Sequence, residues 1–271
     1  MRNCRIRLLA LDMDGTLLRS DGSVSPRNQA AVAACLERDI VVVLASGRFY
    51  PAIVPFLAYW PGQPLWVAAC NGALVYAPGQ ASPFLARTVD LEVAREVVTW
   101  ASNFEGVYVK TFVDDVALVN WETDETRVFR QRFPGRIRVE PDLAAAITNG
   151  PAKIILFDDP AAIPALEREV HARWGGRLEV TGSEPELLEL TAPGATKGDA
   201  VRELEARLGI DRSQVAAIGN ERNDLSMITW AGLGATVASA NPAVLSVVRR
   251  VVAHHNADGV AEFIESFLAS A

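Results

Sequence analysis

At 271 residues, half of them hydrophobic and 22% charged, the chain is long enough for one large domain or a core with an insert, and too apolar to be mainly disordered. A net charge of −7, with no Lys/Arg block interleaved with aromatics, excludes a phosphate-backbone binder, so nucleic acid is not an expected partner. Cys4, Cys35 and Cys70 fit neither a zinc pattern nor a disulfide framework and read as free thiols in a reducing cytoplasm.

Met1 to Arg7 is basic, but Asp12 interrupts the apolar run that follows. That run is too short for a secretory signal, and no later stretch reaches the roughly 20 apolar residues of a membrane span, so no membrane association is expected. Arg7 to Leu11 reads as a strand buried on both faces. On a strand the carboxylates of Asp12 and Asp14 leave on the same side, about 7 Å apart, and Gly15-Thr16 turns the chain away. Ser25-Pro26 is a helix start, serine as cap and proline at the first position, and the helix ends near Asp39. Ile40–Ala45 is a second strand, Ser46-Gly47-Arg48 a loop, Phe49–Tyr59 a helix and Leu65–Ala69 a third strand. This β-α-β-α-β order predicts a parallel sheet with right-handed crossovers.

From about Ala81 to Leu190 the pattern becomes α+β. Helical faces (Ala94, Val97, Val98, Ala101; Ile163, Leu166, Val170, Trp174) alternate with hairpin-like pairs at 106–113/116–120 and 177–180/187–190, with Asp114-Asp115 as a turn. The βα alternation then returns. Thr196-Lys197-Gly198-Asp199 opens a helix that Gly209 ends, followed by strands at 215–218 and 233–237 with a helix at 224–230 between them. A helix from Pro242, a short strand at Val251-Val252 and a helix from about Asp258 complete the chain. The expected architecture is a doubly wound, Rossmann-like α/β core (1–80 and 191–271) carrying an inserted α+β cap (81–190).

Four stretches fall where open α/β sheets place their sites, at the carboxyl ends of strands: Asp12/Asp14, Ser46-Gly47-Arg48, Lys197, and Gly219-Asn220 through Asn223-Asp224. Singly each has a purely structural reading, with Ser46 as a helix cap, Lys197 as a solvated first-turn residue and Asn223-Asp224 as a helix start. Together they suit phosphoryl transfer. An aspartate can attack phosphorus, provided that Mg²⁺ on oxygen ligands and a fixed ammonium offset the two anions. A hydroxyl and backbone N–H at a loop suit phosphate oxygens, and a nearby carboxylic acid can protonate the leaving alcohol.

The ordered motifs Asp12-x-Asp14-Gly15-Thr16-Leu17, Leu44-Ala45-Ser46-Gly47-Arg48, Thr196-Lys197-Gly198 and Ile218-Gly219-Asn220-x-x-Asn223-Asp224-x-x-Met227, with Asn71-Gly72 and Asp258-Gly259-Val260-Ala261, span nearly the whole chain. They resemble the haloacid dehalogenase-like phosphatase superfamily, in its Cof-type branch with a large C2-type cap. The resemblance implies Mg²⁺-dependent hydrolysis of a small phosphorylated metabolite, most often a sugar phosphate, by a monomer or homodimer. It implies Asp12 as nucleophile and Mg²⁺ ligand, and Asp14 as acid/base that also lends its carbonyl to the metal. Ser46, Gly47, Lys197 and Asn223 would hold phosphate or substrate, with Arg48 as a helper.

One position departs from the pattern: Asn220 stands where the family has Asp, so Mg²⁺ should bind more weakly, with Asp224 contributing directly or through water. A phosphate-ligand sensor without turnover and a phosphotransferase or mutase are the other readings. Gly232-Leu233-Gly234 reads as a turn, His171, His254 and His255 as structural, and Trp100, Trp121 and Trp174 as packing with one open to lining a substrate pocket.

Overall fold

A computed structural model of the chain describes residues 6–182 and 184–269; Cys4 lies outside them. The described strands form two sheets. The first takes β1 (Leu8–Asp12), β2 (Val41–Ala45), β3 (Trp66–Ala69), β4 (Leu74–Tyr76) and β5 (Leu85–Ala86) from early in the chain. The second is built from β6 (Tyr108–Val113), β7 (Val116–Val119), β8 (Ile137–Val139), β9 (Lys153–Phe157), β10 (Glu179–Thr181) and β11 (Leu187–Thr191). The chain then returns to the first sheet with β12 (Val215–Gly219), β13 (Leu233–Val237) and β14 (Val251–Val252).

The large sheet has the order β14-β13-β12-β1-β2-β3-β4-β5 and is parallel from β14 to β3. Every residue of β1 is buried, as a strand covered on both faces requires. Helices Pro26–Leu36, Lys197–Leu208 and Gly259–Leu268 add Val32, Val201, Leu204 and Phe263 to the same apolar core. Truncating one such leucine, Leu9→Ala, would cost about 2–5 kcal/mol. Local chemistry fixes the helix ends. Ser25 Oγ accepts from the Asn28 N–H at 3.1 Å with Pro26 in the first turn, and Gly209 closes helix 197–208 at φ 60°.

The small sheet has the order β10-β11-β9-β6-β7-β8 and is antiparallel except for the β7/β8 pair. Asp114 and Asp115, at φ 48° and 60°, form the left-handed two-residue turn that an antiparallel hairpin favours. Val97, Val98, Leu166, Val170 and Trp174 bury the expected helical faces against it. Against an insert at 81–190, Leu85–Ala86 still pairs in the large sheet and Thr191 ends the small one.

Several elements differ from expectation. The third strand continues into an antiparallel hairpin with β4, and β8, β9 and helix Asp124–Arg132 were not foreseen. The helix at Pro242 is a single turn ending at Leu245. Among the described residues, no helix is long and apolar enough to cross a membrane.

Candidate active site

Sheet register brings the motifs together. Asp12 lies opposite Ala45, and Leu11 lies between Leu44 and Ile218, so Ser46 and Asn220 leave their strands beside Asp12. Gly15 adopts φ 69°, and a Cβ there would meet the Asn220 amide at 2.5 Å; only glycine allows this turn.

Lys197 arrives from the first turn of its helix, 2% exposed. Its ammonium donates to Asp12 Oδ1 at 2.7 Å and to Asp224 Oδ1 at 2.6 Å. Two buried carboxylates thus share one cation. Burial, and then the charge of Asp224, push Asp12 up to about 7 against the pull of Lys197. Burial opposes the charge on Lys197, yet the two carboxylates outweigh it and hold the ammonium above its usual range.

Asp224 Oδ2 accepts from the Asn220 and Glu221 N–H groups at 2.8 and 2.9 Å. With Oδ1 on Lys197, this carboxylate is engaged by its loop and by the ammonium, beside the site at which a contribution to the metal, directly or through water, is expected. Asn223 Nδ2 donates to Asn71 Oδ1 at 3.1 Å, while its own Oδ1 is buried without a hydrogen-bond partner.

One end of the Asn220 amide lies 3.0 Å from Asp12 Oδ2, 3.0 Å from the Asp14 carbonyl and 3.1 Å from Thr16 Oγ1. Placed there, the nitrogen donates to these acceptors. Placed there instead, the oxygen would crowd against the Asp12 and Asp14 oxygens, an arrangement that a cation between them makes favourable. A carboxylate, a carbonyl and an amide oxygen, open to water on the cleft side, fit a hard ion such as Mg²⁺. Among the described residues no group of three His, Cys, Asp or Glu forms an alternative site.

Asp14 sits at the mouth, its side chain 55% exposed, and pairs bidentately with Arg48 at 2.8 and 2.5 Å. Buried Ser46 accepts the Arg48 N–H on its Oγ at 3.1 Å, which leaves its own proton free to donate. These groups open into a cavity of about 510 Å³ between the two sheets. Its far wall was not anticipated: Phe49, Phe112, Phe129 and Phe133, with Lys110 and Lys153. Phe49 is the hub, 5.2 Å from Phe112, 5.2 Å from Phe129 and 5.0 Å from Phe133 between ring centroids. The tryptophans do not line this cavity; Trp100 and Trp174 pack edge-to-face at 5.3 Å elsewhere. Lys110, Lys153 and Glu189 had a readable signal: each is a lone charge at a buried position in an otherwise mostly apolar strand.

Residues 9–264 match the family model of the haloacid dehalogenase-like hydrolases. The chain is 26% identical over 268 residues to the HMP-PP phosphatase of Serratia proteamaculans, covering 97% of this chain and 96% of that protein. It is 26% identical over 274 residues to the 5-amino-6-(5-phospho-D-ribitylamino)uracil phosphatase YcsE of Bacillus subtilis, covering 97% and 96%. A solved haloacid dehalogenase-like hydrolase from Bacteroides thetaiotaomicron superposes with a TM-score of 0.83 at 28% identity, over 97% of this chain and 99% of that one. With its motifs converging at one set of strand ends, the chain belongs to the haloacid dehalogenase-like hydrolase family and is a phosphatase of its Cof-type branch.

Proposed function

We propose that the protein hydrolyses a small phosphomonoester in the cytoplasm through an aspartyl-phosphate on Asp12, with the unit built on the small sheet acting as the cap. The observation that carries this reading is the buried Lys197 ammonium, 2.7 Å from Asp12 Oδ1. It offsets the charge that would otherwise repel an anionic substrate from an anionic nucleophile.

Asp12 Oδ attacks phosphorus, the P–O ester bond breaks, and Asp14 passes its proton to the departing alkoxide. Water then attacks the acyl phosphate, with Asp14 taking its proton and the Asp12 carboxylate leaving. Ser46, the Gly47 N–H, Asn223 and Lys197 hold the phosphoryl oxygens. Asp12, the Asp14 carbonyl and Asn220 would hold Mg²⁺, which supplies further positive charge when bound. Asp224 serves by fixing Lys197, and Arg48, paired with Asp14 in the free enzyme, must release it for the carboxyl to carry the proton. Cys35 and Cys70, free and buried, suit the reducing compartment.

The four-phenylalanine wall favours a leaving group with a flat, apolar face over a bare sugar, and the uracil in the name of one relative's substrate points the same way. A panel of phosphometabolites assayed with Mg²⁺, using Asp12→Asn as the blank, tests both levels. Turnover of ring-bearing esters above sugar phosphates is expected. Equal rates for wild type and Asp12→Asn would remove the proposed nucleophile.

A further inference from the structure

The loop 46–48 is held from behind at each of its three carbonyls. Asn71 N–H donates to the Ser46 oxygen at 3.0 Å and Cys70 N–H to the Arg48 oxygen at 2.8 Å. Cys70 and Asn71 both adopt left-handed backbone, φ 50° and 58°, a conformation that costs non-glycine residues energy and is held here by those contacts. The third carbonyl, that of Gly47, accepts from Lys153 Nζ at 2.6 Å. Lys153 is not a neighbour in sequence or sheet. It stands on β9 of the small sheet, 106 residues away.

Lys153 is itself anchored. Its ammonium forms an ion pair with Glu189 of β11, and both side chains are 4% exposed. Glu189 Oε2 accepts from Asn71 Nδ2 at 3.1 Å, and Asn71 Oδ1 accepts from Asn223 Nδ2 at 3.1 Å. Gly47 fits tightly against this cluster, since a Cβ on it would lie 3.1 Å from Asn71 Oδ1 and 3.6 Å from Glu189 Oε1. A buried charge pair is costly to keep for stability alone, because a well-packed apolar pair of similar volume does as well or better. Its position behind the loop offers a different reason.

We propose that Lys153, held by Glu189, is a positioning residue that couples the small sheet to phosphate binding by fixing the Gly47–Arg48 peptide plane. With that carbonyl drawn back onto Lys153, the Arg48 N–H points at Ser46 Oγ and occupies one of its acceptor lone pairs. The Ser46 proton is then directed at the phosphoryl group. Displacing the small sheet would withdraw Lys153 and release the plane, so phosphate is gripped only when the two sheets are together. The inference rests on the loop being the phosphate site, and the test separates the two ideas.

The probe is inorganic phosphate, titrated by calorimetry against the full chain, together with kcat and KM on a chromogenic phosphate ester. Wild-type protein that binds no phosphate overturns the site itself. The paired variant Lys153→Met/Glu189→Gln removes both charges at once and leaves no lone buried ion. It should weaken phosphate binding and kcat/KM roughly tenfold, the value of one charged hydrogen bond, without a matching fall in melting temperature. Lys153→Met alone provides a second route, because the buried Glu189 can take up a proton, and should show the same loss. Either variant, folded and binding phosphate as tightly as wild type, would overturn the proposal. A lowered melting temperature with unchanged phosphate affinity would assign the pair a purely structural role and overturn it too.

Discussion

The Lys197 ammonium meets Asp12 Oδ1 at 2.7 Å although 185 residues separate them in the chain. Both groups are buried, and Asp224 completes the cluster from the other side of the ammonium. Removing the cation therefore does two things at once. Lys197→Met should lower turnover by at least about 100-fold, because positive charge at the reacting centre is lost. It should also cost about 3 kcal/mol of stability by leaving two carboxylates buried without a partner. Steady-state rates and urea melts on the same preparation measure both, and turnover within threefold of wild type would contradict the role.

Asn220→Asp reverses the one departure from the family pattern. In the metal-free protein it replaces an amide that can donate to Asp12 Oδ2 and the Asp14 carbonyl with a third oxygen-only group. Melting temperature without Mg²⁺ should fall, and the gain on adding Mg²⁺ should exceed that of wild type. A variant whose melting curve responds to Mg²⁺ no more than wild type would show that the amide does not weaken the metal site.

Glu189 gives a pH signature. Burial alone would raise its pKa, but Lys153 and the Asn71 amide outweigh burial and hold it below the ordinary value of 4.5. A carboxyl depressed on folding adds stability above its unfolded pKa, and that stability is lost as pH falls through the folded value. Glu189→Gln should thus be less stable than wild type at pH 7, by about 3 kcal/mol for a broken buried pair. The gap should close as pH drops below 4.5. Urea melts at a series of pH values would read this, and a gap that widens in acid would reverse the sign.

Gly198→Ala tests the packing that delivers Lys197. A Cβ at Gly198 would lie 2.5 Å from the Ser226 backbone, so helix 197–208 must shift away from helix Leu225–Trp230. Overpacking of this kind costs about 1–3 kcal/mol, and activity should fall further than stability because Lys197 moves with the helix. Activity retained at the wild-type level would show that the helix can adjust without displacing its lysine.

The parts of this protein readable from sequence are those fixed locally. Ser25-Pro26, Thr196 and Gly209 mark helix ends through their own backbone chemistry, and each does so in the structure. Asp12, Ser46 and Asn220 converge because parallel strands deliver their carboxyl ends to one edge, which strand order alone implies, while Lys197 joins them from the first turn of its helix. The aromatic wall was not legible, since it depends on how the small sheet sits over the large one; Lys153 and Glu189 stood out as lone charges in apolar strands, but their place behind the 46–48 loop depends on that same placement. β9 carried a fair signal, an apolar run Ile154–Phe157 between Pro151 and Pro160, and was missed for want of an obvious hairpin turn. The partners of Asp224 were hidden for a different reason: sequence places a carboxylate near the site but does not reveal that backbone amides bind one of its oxygens.

The placement of β1 between β2 and β12 has a consequence for biosynthesis. While the ribosome is still making the first two hundred residues, the central strand has only one neighbour and an open hydrogen-bonding edge. That edge waits for Val215–Gly219 to emerge, an interval in which it can pair with other nascent chains. Shielding during synthesis, by a chaperone or by the growing insert itself, should matter more for yield than any single contact in the finished enzyme.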